Sequence, residues 1–120
     1  MKNITVRPIS EIEAAIVRQV LHRAAVAPIS EETVRSIEAL KVKGICECGC
    51  RSVEFDAPEG IEQRLADGAG FLDSGDRVDI LIWARNGHIA SLEIVDHQGA
   101  GELPKPETVS SWEEAGKNAF

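Results

Sequence analysis

The dipeptide Asn86-Gly87 constrains this chain more than any other pair of neighbours. It stands between two runs with strand character, Val78–Arg85 and His88–Val95. Two-residue hairpin turns need positive φ at both central positions, which Asn and Gly tolerate. An antiparallel hairpin over 78–95 is therefore predicted. In its first strand Val78, Ile80, Ile82 and Ala84 point one way, and Leu81 and Trp83 the other. A strand apolar on both faces is expected to be central and covered on both sides. The simplest register sets Glu93 opposite Ile80 and Asp79 opposite Ile94. These carboxylates then lie on opposite faces and form no acid/base pair.

A second hairpin is predicted upstream, where the apolar period becomes two after Leu40. A turn at Cys48-Gly49 puts Val42 opposite Phe55 and Gly44 opposite Val53 on one face. On the other face Lys43 meets Glu54 and Lys41 meets Asp56. Arg64–Leu72 reads as a further strand, interrupted by Gly68 and Gly70, and Asp73-Ser74-Gly75-Asp76 as turn chemistry.

Helices come first. Ser10-Glu11-Ile12-Glu13 has the form of a capping box. Ile12, Ile16, Val20 and Ala24 recur every four residues, with Val17 and Leu21 beside them, which predicts a helix over 11–26 that Pro28 bars from continuing. Ser30 caps a short second helix with Val34 and Ile37 as its buried face. After His97, Gly99, Gly101, Pro104 and Pro106 mark a surface connection, and Ser110-Ser111-Trp112-Glu113-Glu114 starts a short last helix. The fold class is α+β: N-terminal helices packed on an antiparallel sheet of about five strands in a meander, with a short C-terminal helix. The 120 residues suffice for a single domain, 1–120, with its core at about 10–97 and 98–120 as surface connection and helix.

Charge and cysteine usage narrow the function classes. The net charge is −7, and residues 52–120 carry 14 acidic and only 5 basic side chains. Nucleic acid binding leaves a basic footprint, so no nucleic acid partner is expected. An acidic surface suits a basic protein partner. No apolar run reaches the roughly 18–20 residues of a membrane helix. The N-terminus lacks an apolar h-region and a small-residue cleavage site, so no secretory signal is expected. All three cysteines fall between Cys46 and Cys50 and cannot staple distant segments, which points to a cytoplasmic protein.

Cys46, Cys48 and Cys50 are the candidate metal ligands. A structural zinc site needs four N or S donors, and His22, His88 or His97 are the candidates for the fourth. Zinc knuckles space their cysteines by two or more residues, whereas these are spaced by one. The competing readings are inert structural thiols and a reactive exposed thiol near Arg51. In the predicted hairpin Cys46 faces inward with Val42 and Gly44, while Cys48 and Cys50 are exposed. No disulfide is expected among them, because bridged Cα atoms prefer about 5.5–6 Å and neighbours two apart on an extended strand exceed that. No catalytic residue is assigned: phosphate-binding Gly loops, His-Glu-x-x-His, EF-hand loops and Gly-x-Ser-x-Gly are all missing from the sequence.

The stretch Cys46-Glu47-Cys48-Gly49-Cys50-Arg51-Ser52-Val53, followed by Asn86-Gly87-His88-Ile89-Ala90-Ser91-Leu92-Glu93-Ile94, resembles a family of small bacterial proteins. Those carry a Cys-Gly-Cys-x-Ser stretch and a Gly-x-Ile/Leu-x-x-Leu-Glu strand. The resemblance spans roughly residues 12–106. It implies a bacterial, cytoplasmic protein and brings no activity, substrate or cofactor with it. The leading expectation is a non-catalytic protein-interaction domain, immunity-like or regulatory, without a cofactor. The alternatives are a small zinc-binding protein using the cysteine cluster, and a small thiol-dependent enzyme or hydrolase.

Overall fold

Residues 1–117 are described by a computed structural model of the chain; the end of the expected 98–120 segment, residues 118–120, lies outside the described residues. Ser10 accepts from the Glu13 amide at 3.1 Å, and the Glu13 carboxylate accepts from the Ser10 amide at 2.9 Å. This reciprocal cap starts α1, Glu11–Ala24. One face of α1 is the stripe Ile16, Val17, Val20 and Leu21, all buried. Ile12 is not part of it: it is 53% exposed, one turn too early to reach the sheet. Ser30 caps α2, Glu31–Ser36, through the Thr33 amide. That helix buries nothing; Val34 is exposed, and only Ile37, in the 3-10 turn Ile37–Ala39 that follows, enters the core. None of the described helices is long and apolar enough to cross a membrane.

The sheet has seven strands rather than about five: β1 Lys2–Pro8, β2 Lys41–Ile45, β3 Val53–Phe55, β4 Glu62–Phe71, β5 Arg77–Arg85, β6 His88–Val95 and β7 Ser110–Ser111. The two extra strands lie at its edges. The apolar alternation of β1 is only two residues long, Ile4 and Val6, and Val6 is exposed; β7 is itself two residues long. Every pairing is antiparallel, in the order β1-β2-β3-β6-β5-β4-β7. This is not a continuous meander. β4, β5 and β6 form one, but β3 pairs with β6 instead of β4. The β4–β5–β6 unit leaves the free edge of β6 for β3, and the chain spans the gap through residues 56–61. The glycines of β4 do not interrupt it. A Cβ on Gly68 would come 2.9 Å from the Ser110 carbonyl oxygen and 3.4 Å from the Ala24 Cβ, so this glycine lets β7 and α1 approach the strand. The last helix, α3, is Trp112–Lys117, and the Glu114 amide donates to Ser111 Oγ at its start.

α1 packs across β4, β5 and β7. Its stripe meets Val78, Ile80, Ile82, Leu92 and Phe55 in one apolar core. Asn86 and Gly87 both take positive φ, 50° and 78°, as the hairpin requires. Leu81 and Trp83, on the face of β5 away from α1, are only half-buried. Side chains of neighbouring strands screen that outer face. Trp83 donates through Nε1 to Glu93 at 2.9 Å, the Arg64 guanidinium lies 4.9 Å from the Trp83 ring centre, and Arg77 pairs with Asp79 at 3.0 Å. β5 is therefore central but buried on one side only.

Two one-residue bulges decide which residues reach that outer face. In β6, Ala90 is extra: Ala84 pairs with Ile89 and Trp83 with Ser91. From there Glu93 lies opposite Leu81, and Asp79 opposite Val95. Both carboxylates accordingly lie on the outer face, not on opposite faces. In β2, Lys43 is extra: Val42 pairs with Phe55, but Gly44 pairs with Glu54 and Ile45 with Val53. A shift of one residue exchanges the two faces of a strand. Lys43 and Glu54 still form an ion pair, at 3.7 Å, reached diagonally instead of directly across.

Candidate functional site: a three-sulfur loop on the open sheet face

The β2 bulge carries Gly44 to the outer face, and Cys46 follows it there. Cys46 is half-buried and outside the apolar core. The connection between β2 and β3 is not a two-residue turn at Cys48-Gly49. It is a seven-residue loop, 46–52, closed by the Cys46 amide donating to the Ser52 carbonyl at 3.3 Å. Gly49 takes φ 90°, a conformation that side chains resist, and so lets the loop turn back. Ser52 fastens its far end. Its buried hydroxyl accepts from the Ile94 amide at 2.8 Å, donates to the Ile94 carbonyl at 3.3 Å, and accepts from the Cys50 thiol at 3.3 Å. The loop is thus tied to the middle of the sheet through β6.

Within the loop the chain curls so that sulfurs spaced two apart converge. The Sγ atoms of Cys46, Cys48 and Cys50 all lie within 4.8 Å of one another. Cys46 and Cys48 are joined as a disulfide, with their Cα atoms 5.4 Å apart, and Cys50 is a free thiol. An extended strand cannot bring such neighbours within bridging range, but the turn at Glu47-Cys48 can, and it overturns the expectation of no disulfide. Backbone amides follow the sulfurs. The Cys48 amide donates to Cys46 Sγ and the Cys50 amide to Cys48 Sγ, each at 3.4 Å. Cys48 is exposed, and Cys46 and Cys50 are half-buried.

The sulfurs stand at one end of an open cleft of about 590 Å³ on the outer sheet face. Glu54, Trp83, Arg85 and Glu93 line it farther along, and Met1 lines it at the sulfur end beside β2. The acidic groups of the cleft are already engaged. Glu54 pairs with Lys43, Glu62 with Arg85 at 3.7 Å, and Glu93 accepts from Trp83. Asp96 accepts from the Gly101 amide at 2.9 Å and the Gly99 amide at 3.0 Å; these amides, Gly101 foremost, hold its carboxyl below the usual range. That hydrogen-bonded turn brings Gly101 against the Gly49 carbonyl, where an added Cβ would sit 3.3 Å away.

The structure brings the three predicted cysteines together and leaves the three histidines elsewhere. His22 lines a groove between α1 and α2, His88 lines one beside the Asn86-Gly87 turn, and His97 is exposed after β6. Among the described residues no histidine joins the sulfur cluster. Sequence reasoning missed Ser52, Met1 and the Trp83–Glu93 pair as neighbours of the cysteines. The alternation Cys-x-Cys-x-Ser was a usable signal for Ser52; the others arrive through pairings distant in sequence. The chain matches no family model, no curated protein and no solved structure.

Proposed function

We propose that this chain is a small binding protein for a thiophilic metal ion, held by Cys46, Cys48 and Cys50. The observation that supports it is the convergence of three sulfurs within 4.8 Å on one anchored loop. Thiolates are the ligands of soft and borderline metal ions. Amide donation to sulfur favours its negatively charged form, and hydrogen bonds to a ligand orient it and tune its metal. The amides of Cys48 and Cys50 supply the first kind, and Ser52 holds the loop in place by its hydrogen bonds to Ile94. An interaction domain meeting a basic partner rests on net charge alone, and a thiol-dependent enzyme needs a base near the nucleophile; the acidic groups lining the cleft are committed to other partners.

The test is metal loading of anaerobically reduced protein, followed through the near-ultraviolet sulfur-to-metal absorption. The expected result is saturation at one equivalent per chain, abolished by replacing any two of the cysteines with Ser. Absorption that stays flat with Cd(II), Zn(II) and Cu(I) alike removes the proposal. The Cys46–Cys48 bridge favours a second reading of the same loop, as a dithiol that closes on oxidation. Closure releases two electrons and two protons to an oxidant such as a hydroperoxide, and it withdraws two of the three metal ligands. The two readings join in one cycle, with metal held in the reduced state and released in the oxidised one.

A further inference from the structure

We infer that the ion this site selects is monovalent copper, bound by three sulfurs and no nitrogen; this rests on the metal-binding reading above. The first argument is ligand count. A structural zinc site closes with four protein ligands, commonly completed by histidine. Here all three histidines lie apart from the sulfurs, Glu47 in the loop is exposed and stands outside the ligand cluster, and the cleft carboxylates of Glu54, Glu62, Glu93 and Asp96 already take hydrogen bonds or ion pairs. Recruiting one of them for zinc means breaking an existing pair. Monovalent copper, a soft d10 ion, is satisfied by three thiolates in a plane.

Size agrees. Metal–sulfur bonds of about 2.3 Å to three ligands in a plane put the sulfurs about 4 Å apart. The Sγ atoms lie within 4.8 Å of one another, so once the Cys46–Cys48 bridge is reduced its two sulfurs part to reach that triangle, with Cys50 already beside them. The third argument is the cleft itself. Three thiolates around a monovalent ion leave two negative charges. Two backbone amides donate to the sulfurs and offset part of that charge, while the acidic groups farther along the cleft are paired or hydrogen-bonded, Glu62 to Arg85 among them.

The experiment is a pair of matched competitions on reduced, anaerobic protein: Cu(I) against bicinchoninate, and Zn(II) against a chromophoric zinc indicator. The expected result is one Cu(I) per chain retained against bicinchoninate, with Zn(II) surrendered to its indicator. X-ray absorption at the copper edge should then show sulfur neighbours only. Cys48→Ser, at an exposed position, removes a ligand and should weaken Cu(I) by more than the roughly 10–100-fold that losing an orienting neighbour costs, while leaving the circular dichroism of the fold unchanged. Retention of Zn(II) with loss of Cu(I), or a nitrogen neighbour at copper, overturns this inference and leaves the metal-binding reading standing. Failure of the protein to hold either ion removes both.

Discussion

Arg7 and Glu13 form a two-pronged ion pair, Nη1 to Oε1 at 2.9 Å and Nη2 to Oε2 at 2.8 Å, that ties the edge strand β1 to the first turn of α1. Glu13 is 2% exposed, so it is a buried carboxylate with a second duty in the helix cap. Burial pushes its carboxyl up, but hydrogen bonds from Arg7 and Ser10 outweigh that and hold it below the ordinary value of 4.5. A depressed folded value stabilises the fold above the unfolded value, and the contribution is lost as pH falls through the folded one. Arg7→Ala leaves burial without its main counterweight. Urea unfolding at neutral pH should show a loss of about 2–3 kcal/mol. Between pH of about 6 and about 3 the variant should also lose less further stability than the parent. An equal acid loss in both proteins would show that the pair does not set the acid response.

The apolar stripe of α1 gives a paired prediction. Ile16 is fully buried and Ile12 is 53% exposed, four residues away on the same helix. Ile16→Ala should cost about 2–5 kcal/mol, as large-to-small changes in a packed core do. Ile12→Ala should stay within about 0.5 kcal/mol. Thermal or denaturant melts of the two variants decide it; similar losses at both positions would mean that α1 is rotated from the orientation described.

Thiol counting checks the loop. Protein purified without reductant should offer one reactive thiol per chain, Cys50, and three after reduction. Among the reduced thiols Cys48 should react first, since it alone is exposed. Mass spectrometry after alkylation reads both the number and the positions. Three thiols labelled without any reductant would refute the Cys46–Cys48 bridge.

Ser52 links the site to the core, so its loss should register in both. Ser52→Ala strips the Ile94 amide and the Cys50 thiol of their partner at a buried position. A stability loss of about 1–3 kcal/mol is expected from the unsatisfied amide. Metal affinity of the reduced protein should fall by roughly 10–100-fold, because Ser52 anchors the ligand loop to Ile94 of β6. Unchanged affinity beside reduced stability would assign Ser52 to the fold alone.

Local chemistry was legible in the sequence, and distant pairing was not. The Ser10–Glu13 cap, the Ser30 cap and the Asn86-Gly87 turn each depend on residues within three positions of one another, and each stands where its spacing placed it. β3 meeting β6 depends on residues nearly forty apart, with nothing local to announce it. The bulges at Lys43 and Ala90 were hidden for another reason. Each strand keeps a credible alternation on either side of its extra residue, so residue types alone fit both registers. The cysteines were therefore recognised as candidate ligands, yet Cys46 was expected to face inward. β1 escaped notice because its apolar alternation, Ile4 and Val6, is too short to announce a strand, although Arg7 within it holds the buried Glu13.

Whether the sulfurs see solvent is a question of odd or even. Only the parity of the residue count between Val42 and Cys46 sends Gly44 and Cys46 outward, and Lys43 supplies the odd member. Deleting that residue would keep Gly44 opposite Glu54 and Ile45 opposite Val53 in plain alternation and leave Cys46 outward; keeping Lys43 but straightening the bulge is what would turn Cys46 toward Phe55 and the core. The surface thiol centre therefore depends on Lys43 standing out of register: a β2 that took it up as a regular member would hide its first cysteine, while composition, spacing within the loop and the rest of the sheet stay as they are.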